Sequence, residues 1–430
     1  MFPFIQLSKL LDDGALDETL AKLACTPAGV TPDHSRVRKV LDGFQSTFHP
    51  ADDAPAALFS APGRTELGGN HTDHQHGHVL AASVNLDLLS CAAPNGKRVI
   101  RICSEGWPVL EVDLDRLEPV AEEINSTGAL VRGIAARIGQ LGYPPVGFDA
   151  YVISDVLPGS GLSSSAAYET LIGVILNHFS CGDALDAVAI AQIGQYAENV
   201  FFGKPCGLMD QMASSVGGAV AIDFADPAKP VVRQIPVDLE SKGYALCIID
   251  SGADHADLTD EYAAIPAEMK AVASFCGGDV LRNVPEETFW QMLPSARVAT
   301  GDRAILRAIH YYNDDRCAVQ EADALAAGDF DTFLKLATAS GVSSWTMLQN
   351  VCPAGATKEQ AVSVALAVAQ AALKGRGGCR VHGGGFAGTI QAFVPVDLLD
   401  SFKAETERVL GQGRCHVLSI RSVGGCVVAG

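Results

Sequence analysis

"PGSGLSSSAA", residues 158–167, sets two glycines against three consecutive serines where an extended segment gives way to a helical pattern. Glycine removes the side chain and lets the backbone come close to a ligand. A helix starting just beyond offers orphan N–H groups and the positive end of its dipole. Together these make an anion site, most often for phosphate. The hydroxyls of Ser163, Ser164 and Ser165 add oxygen ligands suited to phosphate or Mg2+. No lysine follows the glycines, which separates the stretch from a Walker P-loop. The competing reading is a Gly/Ser turn whose serines only cap a helix.

On the N-terminal side, residues 146–158 read as a strand ended by Pro158. On the other side, Ala167, Leu171, Val174, Ile175 and His178 recur at helical spacing, and a second helix is read over 184–202. Further upstream, residues 79–93 read as a strand from partial alternation, and 98–114 as a hairpin. The first fifty or so residues read as helices with polar faces, followed by a Pro/Asp/Ala loop at 49–57. Residues 217–224 and 244–250 are expected strands. Residues 357–375 form an expected long helix closed by Gly375. Strands at 388–395 and within 415–430 flank one more helix. Strands and helices mix without a regular βαβ beat, so the fold class is α+β rather than a doubly wound sheet. There is no internal repeat.

The 430 residues are 48% hydrophobic and 19% charged, with a formal net charge of −19. Length gives two or three domains. Such a charge repels nucleic acid and anionic membranes, which are excluded as partners. No obligate protein partner is evident. Twelve cysteines are scattered without a CxxC pair, so reduced thiols are expected. The start lacks the basic and apolar regions of a signal peptide. The most apolar run, residues 361–369, is too short to span a bilayer. The expectation is a soluble cytoplasmic protein.

Three other stretches carry chemistry. "GGGFAG", residues 383–388, fits GxGxxG, but a strand follows where a dinucleotide fingerprint needs a helix. It reads as a tight glycine turn, with a second phosphate-supporting loop as the alternative. "CGLMDQMASSVGG", residues 206–218, places Asp210 just after a glycine, as a general base or simply as an acid at a helix start. "GRTELGGNHTDHQHGH", residues 63–78, gathers four histidines. In a strand His74, His76 and His78 would share one face, but zinc needs convergent and distant ligands and no cysteine lies close. A pocket for a hydroxyl-rich small molecule suits the stretch better.

Taken in order, these segments resemble the GHMP small-molecule kinases, and within them the galactokinases. Residues 62–85 resemble the galactokinase signature, 158–167 the family's ATP phosphate loop, and 380–389 its third motif. Residues 197–211 resemble the segment with the catalytic Asp, and 251–262 the segment ending in a sugar-contacting Tyr. The resemblance implies a two-lobed fold with the active site in the cleft. It divides the chain into an N-terminal extension (1–50), a sugar- and ATP-binding lobe with a five-stranded sheet (51–235), and a ferredoxin-like lobe (236–430). It implies Asp210 as catalytic acid/base with Arg64 as its cationic partner. Asn70, His71, Asp73, Gly207 and Tyr262 are implied sugar contacts. The ATP phosphates are implied to lie on Pro158, Gly159, Ser160, Gly161, Leu162, Ser163, Ser164 and Ser165, and Mg2+ near Ser164, Ser165 and Glu198. The implied reaction is ATP-dependent phosphorylation of a hexose at its anomeric hydroxyl, galactose first. Two positions depart from the family. Asn70 stands where a Glu usually accepts the sugar's 6-hydroxyl, which admits a hexuronic acid such as galacturonate or glucuronate. Thr127 stands where an aromatic usually covers the adenine. A catalytically silent sugar sensor is the reading from another class, and the presence of both Arg64 and Asp210 argues against it.

Overall fold

The computed structural model describes every residue except 157–160, 205 and 254–257. A two-residue strand β1 (Phe2–Pro3) leads into three helices, α1 (Phe4–Asp12), α2 (Asp17–Ala24) and α3 (Ser35–Phe48). Then come β2 (Pro55–Gly68), β3 (His78–Pro94), β4 (Val99–Ser104), β5 (Leu110–Asp113), α4 (Thr127–Gln140) and β6 (Phe148–Ser154). Helices α5 (Ser164–Leu176), α6 (Ala187–Ala197) and α7 (Met209–Val216) follow, and β7 (Ala219–Asp223) with β8 (Val231–Ile235) closes this half.

The long strands β2 and β3 organise one mostly antiparallel sheet in the order β1-β2-β3-β6-β4-β5, with β7 and β8 continuing from the N-terminal part of β3. Only β4 and β6 run parallel. Helix residues at 3.6 spacing (Phe4, Leu7, Leu11, Val37, Val40, Leu41, Phe44) lie buried against Ala56, Leu58, Leu89, Cys91 and Ile153. The alternate residues Ala57, Phe59, Leu88, Ala92 and Val152 pack on α4 and α5 instead. Residues 1–50 therefore cover the back of the sheet and are not a separate appendage. The sheet also exceeds the expected five strands: among the described residues it has nine.

The second half opens with β9 (Tyr244–Asp250). Helices α8 (Thr259–Phe275), α9 (Glu286–Thr300), α10 (Asp302–Ala326), α11 (Phe330–Ser343) and α12 (Ala361–Leu373) precede β10 (Gly378–Val381). After it come β11 (Thr389–Pro395), α13 (Leu399–Leu410), β12 (Cys415–Leu418) and β13 (Cys426–Ala429). Strands β10-β11-β9-β12 form an antiparallel sheet in the order of a βαββαβ ferredoxin-like unit. One face packs on α12 and α13 through Val362, Leu366, Leu373 and Phe402. The other, through Leu246, Ile248 and Phe393, joins the core of the first lobe. The expected boundary at 235/236 is crossed once more by β13, which returns to pair with β2 at Leu58–Ser60. No helix among the described residues is long and apolar enough to cross a membrane.

Candidate active site

The pairing of β2 with β3 shifts register between Pro62 and Arg64. Such a bulge re-aims a side chain out of the ladder. Here the Arg64 N–H bonds the Leu162 carbonyl at 2.9 Å, tying β2 to the loop before α5. The Arg64 guanidinium is buried and forks onto Asp210, Nε to Oδ1 and Nη2 to Oδ2, each at 2.6 Å. Its Nη1 donates to the Gly161 carbonyl. Asp210 lies in the first turn of α7, where the helix dipole favours a carboxylate. Burial pushes the Asp210 carboxyl up. The Arg64 charge, its hydrogen bonds and one from the Ser163 hydroxyl outweigh that and hold it below the usual aspartate range. Asp210 is therefore ionised at physiological pH.

The glycine–serine loop differs from the simplest expectation. Ser163 precedes α5 in the left-handed region with φ 54° and makes no side-chain cap. Its hydroxyl turns to Asp210 instead, so the first N–H groups of α5 have no side-chain acceptor from their N-cap. Gly161 has φ +72°, and a Cβ there would lie 2.9 Å from both His382 Nδ1 and Thr389 Oγ1. Leu162 is buried, and Ser164 and Ser165 are half-buried in the first turn of α5. The expected phosphate contacts Pro158, Gly159 and Ser160 lie outside the described residues. Thr127, at the first position of α4, is exposed.

Glu198 follows α6 and is buried with Glu169, one helical turn beyond Ser165. Gln211 Nε2 bridges the two carboxylates, at 2.9 Å to Glu169 and 2.8 Å to Glu198. Burial, and next the Glu198 charge, push the Glu169 carboxyl well up. Glu169 Oε1 and Gln211 Oε1 have no hydrogen-bond partner among the described residues.

Residues 69–77 are a compact turn rather than a strand. Gly69, His71 and His76 have φ of 81°, 61° and 60°, and Asp73–Gln75 form one 3-10 turn. His74, His76 and His78 therefore do not line one strand face; only His78 begins β3. Asp73 Oδ1 accepts from the His74 N–H at 2.9 Å, while Oδ2 presses on Gly207 so closely that a Cβ at 207 would overlap it. Burial, then His74, pushes His71 down to about 4, so its imidazole is neutral. Its Nε2 lies 3.1 Å from the Gly384 carbonyl, which can only accept; the ring proton therefore sits on Nε2 and leaves Nδ1 an acceptor. The Tyr262 hydroxyl donates to the Gly385 carbonyl at 2.9 Å, and burial pushes it up to about 12, keeping it a donor. Asn70 is the expected contact placed differently. It is wholly enclosed, and both its amide N–H groups bond protein acceptors.

The fold thus brings Arg64, Asp210, Asp73, Gly207, His71 and Tyr262 together around one cleft. Sequence reading missed the Ser163–Asp210 bond, the Glu169–Gln211–Glu198 bridge and buried His382. Only Glu169 left a trace, its i, i+4 spacing from Ser165. The closeness of Gly207 and Asp73 gives a direct prediction. Given the sugar contact that the resemblance implies for Asp73, Gly207→Ala, which displaces its carboxylate, is expected to raise the sugar KM by about 10–100-fold, the range for losing a charged hydrogen bond. The ATP KM is expected to hold. Steady-state kinetics with each substrate varied separately reads the difference; equal changes in both would detach Asp73 from the sugar.

The GHMP kinases N terminal domain model matches residues 129–218, and the galactokinase galactose-binding signature matches residues 42–94. The chain is 31% identical over 352 residues to a galactokinase of Actinobacillus pleuropneumoniae, covering 80% of this chain and 86% of that one. It is 29% identical to a Streptomyces coelicolor galactokinase, over 82% and 88% of the two chains. The crystal structure of Lactococcus lactis galactokinase complexed with galactose matches with a TM-score of 0.77 at 25% identity, over 91% of this chain and 99% of that one. A mevalonate kinase at 14% identity and a TM-score of 0.59, over 84% and 98%, shares the fold. Fold and cleft define a small-molecule kinase of the GHMP class. Within that class, the chain belongs to the galactokinase family.

Proposed function

We propose that the protein transfers the γ-phosphoryl group of ATP to the anomeric hydroxyl of galactose, releasing ADP and galactose 1-phosphate. The observation that carries this is the ionised Asp210, held in the fork of Arg64, whose Nη1 donates to the carbonyl of the loop residue Gly161. One arginine so joins the site of the acceptor hydroxyl to the loop that would bear the donor phosphates.

Asp73 accepts sugar hydroxyls beside Gly207, with His71 and Tyr262 completing the pocket. The phosphates rest on the uncapped start of α5, over Gly161 to Ser165. The O1 hydroxyl donates to Asp210, which orients an oxygen lone pair toward the γ-phosphorus. As the O1–P bond forms and the bond to the β-phosphate oxygen breaks, Arg64 offsets the anionic charge on the transferring group. Asp210 takes the hydroxyl proton. Its depressed pKa makes it a weak base, so proton transfer comes late and orientation is the larger part of its work.

Among the described residues no three His, Cys, Asp or Glu side chains enclose an ion. Mg2+ keeps waters and binds chiefly through phosphates and one or two carboxylates. The unpartnered oxygens of Glu169 and Gln211 beside Glu198 leave hard donors for it. Glu198, with Ser164 or Ser165 and the free oxygens of Glu169 and Gln211 beside it, would hold the ion, and it would supply neutralisation of the phosphate charge.

The hexuronic acid reading drew on the loss of a Glu charge at position 70 together with the amide's two donors. Both donors are engaged by Glu66 and the Gly383 carbonyl, which leaves none for a 6-carboxylate, so galactose, the sugar of the family, is preferred. The Arg64–Asp210 pair and its Ser163 bond favour an active kinase over a silent sensor. ADP release with galactose, galacturonate, glucuronate and N-acetylgalactosamine tests the assignment. Galactose is expected to be turned over fastest. A faster uronate would replace the substrate, and no ADP with any sugar would return the sensor.

A further inference from the structure

Asn70 sits at the seam of the two lobes with every polar atom engaged by protein. Its Nδ2 donates to Glu66 Oε1 at 2.9 Å and to the Gly383 carbonyl at 2.7 Å. Its Oδ1 accepts from Asn350 Nδ2 at 2.8 Å and from Ser344 Oγ at 3.3 Å. The backbone is held as firmly: its N–H donates to Asp314 Oδ2 at 2.6 Å, and His310 Nε2 lies 2.9 Å from its carbonyl. An asparagine offers two donors and two acceptor positions, and all four side-chain positions are filled. The loop it grips, 383–385, is the one that meets His71 at Gly384 and Tyr262 at Gly385. Asn350 also donates to the Gly384 carbonyl, at 3.2 Å.

We infer that Asn70 is a positioning residue that clasps the 383–385 loop to β2, so fixing His71 and Tyr262 at the sugar pocket without touching the sugar itself. The clasp calls for an amide. Around position 70 stand Glu66 and Arg64 on β2, His310, Asp314 and Glu321 on α10, Arg380 on β10, and His71 next in the chain. Arg380 already donates to the Glu66 oxygen that Asn70 uses, at 2.8 Å. A further carboxylate against Glu66 would have to share a proton with it.

The test is Asn70→Asp, alone and with Glu66→Gln, in the full chain. The substitution keeps the shape and the acceptor contacts but turns both donors into acceptors facing Glu66 and the Gly383 carbonyl. At pH 8 the galactose KM is expected to rise about 10–100-fold, with kcat changing less. At pH 6 much of this is expected to return, because a proton shared between the introduced carboxylate and Glu66 restores a hydrogen bond. The pair's folded pKa is raised, so its stability is present at low pH and lost as pH rises through that value. Glu66→Gln removes the second charge and reverses the bond, and is expected to recover at least tenfold of the loss at pH 8. With 6-deoxygalactose, removal of the 6-hydroxyl is expected to cost the same factor in wild type and in Asn70→Asp, within about twofold. A smaller penalty in the variant would put Asn70 on the 6-hydroxyl and overturn the inference. So would an unmoved KM, or a loss that neither acid nor Glu66→Gln relieves. The kinetic readouts rest on galactose being the acceptor. If the wild type does not phosphorylate galactose, that assignment falls, and the ligand-free thermal midpoint of Asn70→Asp decides the clasp. A midpoint below wild type at pH 8 that converges on it at pH 6 supports the clasp; no difference at either pH overturns it.

Discussion

Asp210→Asn is expected to lower kcat for galactose by about 10²–10⁴-fold or more with the fold intact, the usual range for loss of a positioned acid/base group. The amide keeps the size of the side chain but takes no proton at neutral pH. It also turns an –NH2 toward Arg64, so at most one of the two 2.6 Å fork bonds survives. The acceptor hydroxyl loses both its orienting partner and its proton sink. Circular dichroism and a thermal melt check the fold, and turnover within tenfold of wild type would remove Asp210 from the mechanism. Because Arg64 and Ser163 hold Asp210 below its ordinary value of 3.8, its protonation does not set an acid limb of kcat near neutrality. A limb there belongs to another group. Glu66 is one such group, pushed up to about 7 by burial and the Asp314 carboxylate in spite of Arg380.

Gly161→Val is expected to abolish ATP binding. Position 161 has φ +72°, where a β-branched residue is strained by about 1–3 kcal/mol. Its Cβ would lie 2.9 Å from His382 Nδ1 and Thr389 Oγ1, two buried atoms themselves 2.9 Å apart, which leaves little room to give. Sequence alone puts the added side chain at the phosphate position; the structure directs it into this buried pair. Any shift of the loop to relieve the clash also moves the Gly161 carbonyl away from Arg64 and loosens the Asp210 fork. Titration calorimetry with ATP is expected to show no binding heat. Unchanged ATP affinity would show that the phosphates do not lie on this loop.

The legible parts of the fold were those with one wet face, a marked start or a short unbroken apolar run such as 244–250. The 98–114 hairpin, the helix after the serines and the strand at 244–250 all appear where the pattern put them. Strand β2 went unread because helices cover both its faces, so Phe59, Ser60, Ala61 and Pro62 are all buried and no alternation survives. Helices α8 and α9 contain Pro266 and Pro294, which read as breakers. In α10 the buried stripe holds Arg307, His310, Asp314 and Glu321, which a hydropathy pattern takes for a solvated face. In the cleft, Arg64, Asp73 and Asp210 were legible because each sits in a short glycine-bearing motif. The enclosure of Asn70 was not, since Ser344, Asn350 and Gly383 come close only through the tertiary fold.

Strand β13 places a constraint on biogenesis. It pairs with β2 at Ser60, Phe59 and Leu58, within the segment that carries Arg64 a few residues on. A ribosome has made Arg64, the glycine–serine loop and Asp210 long before residue 426 emerges. Through that interval β2 has a stretch of bare edge, the kind of surface that recruits foreign strands. The most distant pairing in the sequence is also a late one to form, and loop closure of this span slows folding. A fusion or cut that disturbs β13 is expected to disturb β2 as well, and with it the setting of Arg64.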